Sequence, residues 1–135
     1  MSLPRIESCM DRQTHAVRVD DDLYEVVKML IDESVTGAIV VDDAGVPVGA
    51  ITEAECLKLL SEGADHEAPH GTVKDFMAEV VTVRAEMNIY HVAGLFNMHP
   101  TVRRFAVVDA AGKLIAVVTR KDILKLVHSQ LMTSS

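Results

Sequence analysis

One stretch of the chain has the residue types to hold an anion and a sugar hydroxyl side by side. Ala116, Val117 and Val118 run into Thr119, followed by Arg120, Lys121 and Asp122, then by Ile123-Leu124-Lys125-Leu126-Val127. The pattern predicts a buried strand that ends at Thr119 and a helix that starts immediately. A hydroxyl, a carboxylate and the unbonded N–H groups of a first helical turn would then share one small volume. The same spacing also serves the helix itself. Thr at the N-cap accepts from an N–H of the first turn, and an acid three residues on accepts from the N-cap N–H. A second copy of the pattern, Gly49-Ala50-Ile51-Thr52-Glu53-Ala54-Glu55, stands 67 positions earlier (119 − 52). For Thr52 and Glu55 the capping role comes first. For Thr119 and Asp122 the order reverses, because the shorter Asp is the poorer capping partner and cations flank it.

The elements that must position these junctions also occur twice. Ile6-Glu7-Ser8-Cys9-Met10 and Val73-Lys74-Asp75-Phe76-Met77 are 67 apart, and each precedes a short strand, His15–Val19 or Val81–Val83. Leu23, Val26, Val27 and Leu30 fall at i, i+3, i+4 and i+7, and Ile89, Val92, Ala93 and Phe96 repeat that stripe, so each copy gains an amphipathic helix. The offset there is 66 (89 − 23), so one residue is inserted before the next strand, in the loop Met98–Arg104, where Pro100 ends the helix. Ala38–Val41 and Phe105–Val108 read as buried strands, each closed by a turn with Asp first and Gly last (Asp42 to Gly45, Asp109 to Gly112). Each copy is β-α-β-β-α, which makes the fold class α/β (α+β), with strands covered by helices. The copies are expected over 5–62 and 73–129, with a Gly- and Pro-containing linker at 63–72 and a tail at 130–135. About 60 residues form a marginal domain alone, so the two copies are expected to pack sheet to sheet about a pseudo-two-fold axis, bringing both threonine junctions to a shared cleft.

Composition narrows the function. At 135 residues, 49% of them hydrophobic, the chain can bury a real core, and its net charge of -7 argues against a duplex nucleic-acid surface. With two Tyr, three Phe and no Trp there is little to stack along single-stranded nucleic acid. No apolar run is long enough for a membrane span or a secretory signal, so a cytoplasmic protein is expected. Cys9 and Cys56 lack CxxC spacing and read as two structural thiols in a reduced compartment. The sequence has no G-x-S-x-G, Walker-type, G-x-G-x-x-G or H-E-x-x-H motif, and no enzyme is expected. His66 and His70, beside Asp65 and Glu67, read as an acidic connector in the linker rather than a zinc site.

Taken together, the Val73-x-x-Phe76-Met77 opening, the Val107-Val108-Asp109-x-x-Gly112 turn and the Val117-Val118-Thr119-x-x-Asp122 ending resemble a tandem pair of cystathionine-β-synthase-type (CBS) domains, a Bateman module. The resemblance covers the whole chain. It implies a regulatory module that binds an adenine nucleotide (AMP, ADP or ATP) and requires no cofactor or metal. It also implies a homodimer through the second helix of each copy, with residues such as Leu57, Leu60, Leu124 and Val127, acting on a downstream protein that the sequence does not identify. Carried over residue by residue, it makes Asp122 the acceptor for ribose hydroxyls and Thr119 a donor to phosphate. Arg104 becomes the basic partner of the phosphate, Arg103 and Arg120 are nearby candidates, and Val81 and Ala106 flank the adenine. The first copy departs from the pattern: Glu55 replaces Asp, and Gly37 stands where Arg104 stands. A weaker site is therefore expected at Thr52, Glu55 and Gly37. The alternative is a constitutive dimerisation scaffold that binds no nucleotide.

Overall fold

Apolar stripes at helical spacing and short apolar runs closed by Asp–Gly turns set the element order. The computed structural model describes residues 3–63 and 69–133. A turn of 3-10 helix (Ile6–Ser8) is followed by β1 (Val17–Arg18), α1 (Leu23–Asp32), β2 (Gly37–Val41), β3 (Pro47–Thr52) and α2 (Glu53–Ser61). Then come α3 (Val73–Phe76), β4 (Thr82–Arg84), α4 (Ile89–Met98), β5 (Arg104–Val108), β6 (Leu114–Thr119) and α5 (Arg120–Thr133). The repeated β-α-β-β-α order is present in both copies. The last helix extends to Thr133, through residues expected as a tail. His66 lies outside the described residues.

Two three-stranded sheets result, ordered β1-β2-β3 and β4-β5-β6. In each, the first strand runs parallel to the second and the second antiparallel to the third. The parallel pair needs a crossover, which α1 or α4 supplies, and the antiparallel pair needs only the tight turn. Gly45 (φ +83°) and Gly112 (φ +82°) take the left-handed conformation in those turns. Asp42 Oδ1 accepts from the N–H groups of Ala44 and Val46, and Asp109 Oδ1 from those of Ala111 and Lys113.

The compact units are not the sequence copies. One is His15–Val80; the other joins the residues up to Thr14 with those from Val81 onward. Ile6, wholly buried, lies in a core with Val83, Ile89, Val92, Phe96, Phe105, Val107, Ala116, Val118 and Ile123. Val73 lies in the other core with Leu23, Val26, Ile51, Cys56 and Leu59. Each opening segment thus completes the other copy's unit. Asp11 and Val117 exchange both backbone hydrogen bonds at 2.8 Å, and Ala78 and Ala50 do the same at 2.8 and 3.0 Å. Both pairs are related by the repeat, since 78 − 11 and 117 − 50 are each 67. The added residue covers an edge of β6 or β3 that would otherwise present bare N–H and C=O groups.

Alternation along the strands sets what each face carries. Phe105, Val107, Ala116 and Val118 face the helices and the core. Arg104, Ala106, Val117 and Thr119 take the opposite face.

Candidate functional site

The second junction is built from β5, β6, the start of α5 and the opening segment. Arg104 is the direct cross-strand partner of Thr119 in the β5–β6 ladder, so their side chains share one face. The Thr119 N–H donates to Asp122 Oδ2 at 2.9 Å, and the Asp122 N–H donates to Thr119 Oγ1 at 3.3 Å. Asp122 therefore does cap its own helix. Its carboxylate is nonetheless half-buried rather than enclosed. Thr119 Oγ1 acts here as an acceptor, which leaves the hydroxyl proton to be given elsewhere.

The first junction is closed more completely. Thr52 N–H donates to Glu55 Oε2 at 3.0 Å, and Thr52 Oγ1 donates its proton to the same oxygen. The Ala54 N–H occupies Thr52 Oγ1 at 3.2 Å. Glu55 is 8% exposed, the buried charged residue among the described ones. Gly37 pairs with Thr52 as Arg104 pairs with Thr119, so no cation stands there. One methylene decides the difference: Glu reaches back to take both the amide and the hydroxyl of its N-cap, and Asp takes the amide only.

Burial, with the charge of Arg103 second, pulls the half-buried Arg104 below the usual arginine range. An anion at this point would favour the charged guanidinium and so oppose that lowering. Arg103 is exposed, in the loop ahead of β5. The Ala106 N–H bonds the Val81 carbonyl at 2.9 Å, so these two residues adjoin. Ala106 is wholly buried and Val81 half-buried.

Arg120 is spent elsewhere. Its guanidinium donates to the carbonyls of Val102 (2.6 Å), His99 (3.1 Å), Phe96 (3.2 Å) and Pro100 (3.4 Å), and it lies 4.7 Å from the Phe96 ring centroid. These carbonyls end α4 and its following loop, where the helix dipole favours a cation. In this arrangement the Arg120 guanidinium is engaged by backbone carbonyls and the Phe96 ring.

Two residues of the opening segment join the site without having been read as part of it. Cys9 is held up to about 11, by burial first and by the Asp122 carboxylate second, which puts its thiol near that carboxylate. Asp11 is fixed against Val117, two residues before Thr119. The 67-residue offset offers the only sequence signal, since it matches Asp11 with Ala78 and marks a charge present in one copy alone. Among the described residues, no three His, Cys, Asp or Glu side chains converge on a metal position, and no helix is long and apolar enough to cross a membrane.

With this geometry, the family assignment follows. The CBS domain pattern matches residues 6–62 and 73–129, and the chain belongs to that family as a tandem CBS pair. An uncharacterized protein of Methanopyrus kandleri is 29% identical over 104 residues, 76% of this chain and 52% of that protein. An inosine-5'-monophosphate dehydrogenase of Nitrosopumilus maritimus is 25% identical over 124 residues, 91% of this chain but 24% of the enzyme. The chain thus spans about half the length of the first relative and a quarter of the second. Among solved structures, CBSX2 of Arabidopsis thaliana in complex with AMP matches with a TM-score of 0.78 at 25% identity, covering 98% of this chain and 99% of that one.

Proposed function

We propose that this CBS pair is a ligand-sensing regulatory module that takes an adenine nucleotide at the junction of β6 and α5. The observation that carries the reading is the difference between the two junctions. Thr119 keeps a hydroxyl proton to donate and Asp122 keeps part of its carboxylate accessible, whereas Thr52 and Glu55 consume each other. Asp122 accepts from the ribose hydroxyls, Thr119 donates to the phosphate, and Arg104, with Arg103 behind it, supplies positive charge. Val81 and Ala106 form the apolar floor. The AMP carried by CBSX2 supports the ligand class. Binding does no chemistry in this reading. It regulates by favouring whichever arrangement of the protein holds the ligand more tightly, and only by that difference in affinity.

Calorimetry with AMP and ATP on wild type and Asp122→Ala tests the assignment. Loss of charge-assisted hydrogen bonds to the ribose should weaken binding by about tenfold or more. Equal affinity in the two proteins removes Asp122 from the role.

The second reading, a dimerising scaffold, is favoured by exposed leucines at repeat-related positions. Leu57 and Leu124 are 63% and 66% exposed, and Leu60 is 50% exposed. Leu57 and Leu60 border an apolar groove of about 460 Å³ between α1 and α2. A homodimer through α2 and α5, with Val127 alongside, would cover them, and sedimentation of wild type and Leu57→Asp reports it. A thermal-shift screen separates a sensor from a scaffold. A nucleotide at about 100 times its Kd stabilises the fold by about 2.7 kcal/mol, and a pure scaffold shows no shift.

A further inference from the structure

Resting on the nucleotide reading above, we infer that Asp11 sets the charge selectivity of the site, favouring an adenosine compound with a single phosphate over a polyphosphate. Asp11 is not part of the second copy. It reaches the site because the opening segment crosses to β6 and exchanges two backbone hydrogen bonds with Val117. Directly paired residues present their side chains to one face, and Val117 shares its face with Thr119 two residues on. Asp11 therefore stands on the face that carries Arg104, Ala106 and Thr119. Its carboxylate is oriented as well, because Oδ1 accepts from the Gln13 N–H at 2.9 Å.

The charges on this face have a direction. Arg104 flanks β6 through β5, and Asp11 flanks it from the opposite edge, so that roughly 10 Å separates the two columns of side chains. A phosphate drawn to Arg104 and Thr119 is satisfied at that end. Further phosphates add negative charge within reach of Asp11, while the Arg120 guanidinium is engaged at the end of α4. At about 10 Å, in surroundings between protein and water, each extra charge weakens binding by roughly threefold to fourfold. The other unit has Ala78 in place of Asp11 and Gly37 in place of Arg104, so this opposed pair of charges belongs to the open junction alone.

The test is calorimetric titration of wild type, Asp11→Asn and Asp122→Ala with AMP and with ATP. Asn retains an acceptor for the Gln13 N–H and so preserves the local turn. AMP should bind wild type more tightly than ATP, and the ATP-to-AMP affinity ratio should rise by about tenfold in Asp11→Asn at low salt. Salt at about 0.5 M should shrink that rise. A ratio that moves less than twofold, with AMP still bound and still dependent on Asp122, overturns the role of Asp11 and leaves the nucleotide site standing. Wild type that binds neither nucleotide overturns the site, and this inference with it.

Discussion

Thr119 Oγ1 receives the Asp122 N–H at 3.3 Å, while the repeat-related Thr52 Oγ1 gives its own proton to Glu55. The two threonines occupy the same place in the repeat, and the acid three residues on is one methylene longer in the first copy. Exchanging those lengths should exchange the states. Asp122→Glu is expected to close the second junction, lowering AMP affinity by about tenfold while leaving the protein as stable or more so, by up to about 1 kcal/mol. Glu55→Asp should open the first junction and lower stability by about 1 kcal/mol. Calorimetry and thermal melts on the two single variants read both effects. An Asp122→Glu protein that binds AMP as wild type does would show that junction closure is irrelevant to binding.

The crossing of the opening segments makes a second, less obvious expectation. Ile6 has no exposed surface and packs with Phe105, Val107 and Val118, in the unit made mostly of the second copy. Ile6→Ala should cost about 2–5 kcal/mol. Amide hydrogen exchange should locate the loss, with β4, β5 and β6 losing protection before β2 and β3 do. Faster exchange confined to β1–β3 would mean that the segment serves its own copy.

The repeated strands, helices and turns are legible in the sequence because each is written locally. The apolar stripe of Leu23, Val26 and Leu30 and the Asp42–Gly45 turn need no distant partner to be read. The capping of Thr52 by Glu55 is equally local. The crossing is not legible for a symmetric reason: Ile6 and Val73 carry the same pattern, and either copy offers the same edge to receive it. The place of Asp11 is not legible in the sequence because its strand partner, Val117, is 106 positions away (117 − 11). In sequence, a cation that follows Thr119 looks the same whether it faces a phosphate or the carbonyls ending a neighbouring helix. Only folding brings the end of α4 to it.

Arg120 supplies a prediction of its own. Its guanidinium satisfies four carbonyls and lies over the Phe96 ring. Arg120→Ala removes those donors and the cation–π contact together and is expected to destabilise the fold by about 2 kcal/mol. Arg120→Lys should recover little, since an ammonium cannot span the carbonyls as a planar guanidinium does. AMP affinity should change by less than about threefold once melts confirm a folded protein. A large loss of AMP affinity with an unchanged melting temperature would restore Arg120 as a phosphate ligand.

Cys9 offers a chemical reporter of Asp122. Burial, and then the Asp122 carboxylate, raise its thiol from 9.0 to about 11. Thiolate is the reactive form, so alkylation of Cys9 near pH 8 should run about 100-fold slower than for an unperturbed thiol. The sign of the linkage is fixed by the raised value. Below pH 9 both folded and unfolded chains keep the proton; between about 9 and 11 the unfolded chain gives it up first, so stability falls across that window. Removing the carboxylate lowers the thiol towards its ordinary value. Asp122→Asn should therefore speed iodoacetamide labelling of Cys9 and shift the labelling profile to lower pH. Peptide mass spectrometry separates Cys9 from Cys56, whose thiol is raised by burial first and then by Glu55 and Glu53. Cys56 should not respond to Asp122→Asn. Equal acceleration at both cysteines would point to loosened packing instead of a lost charge.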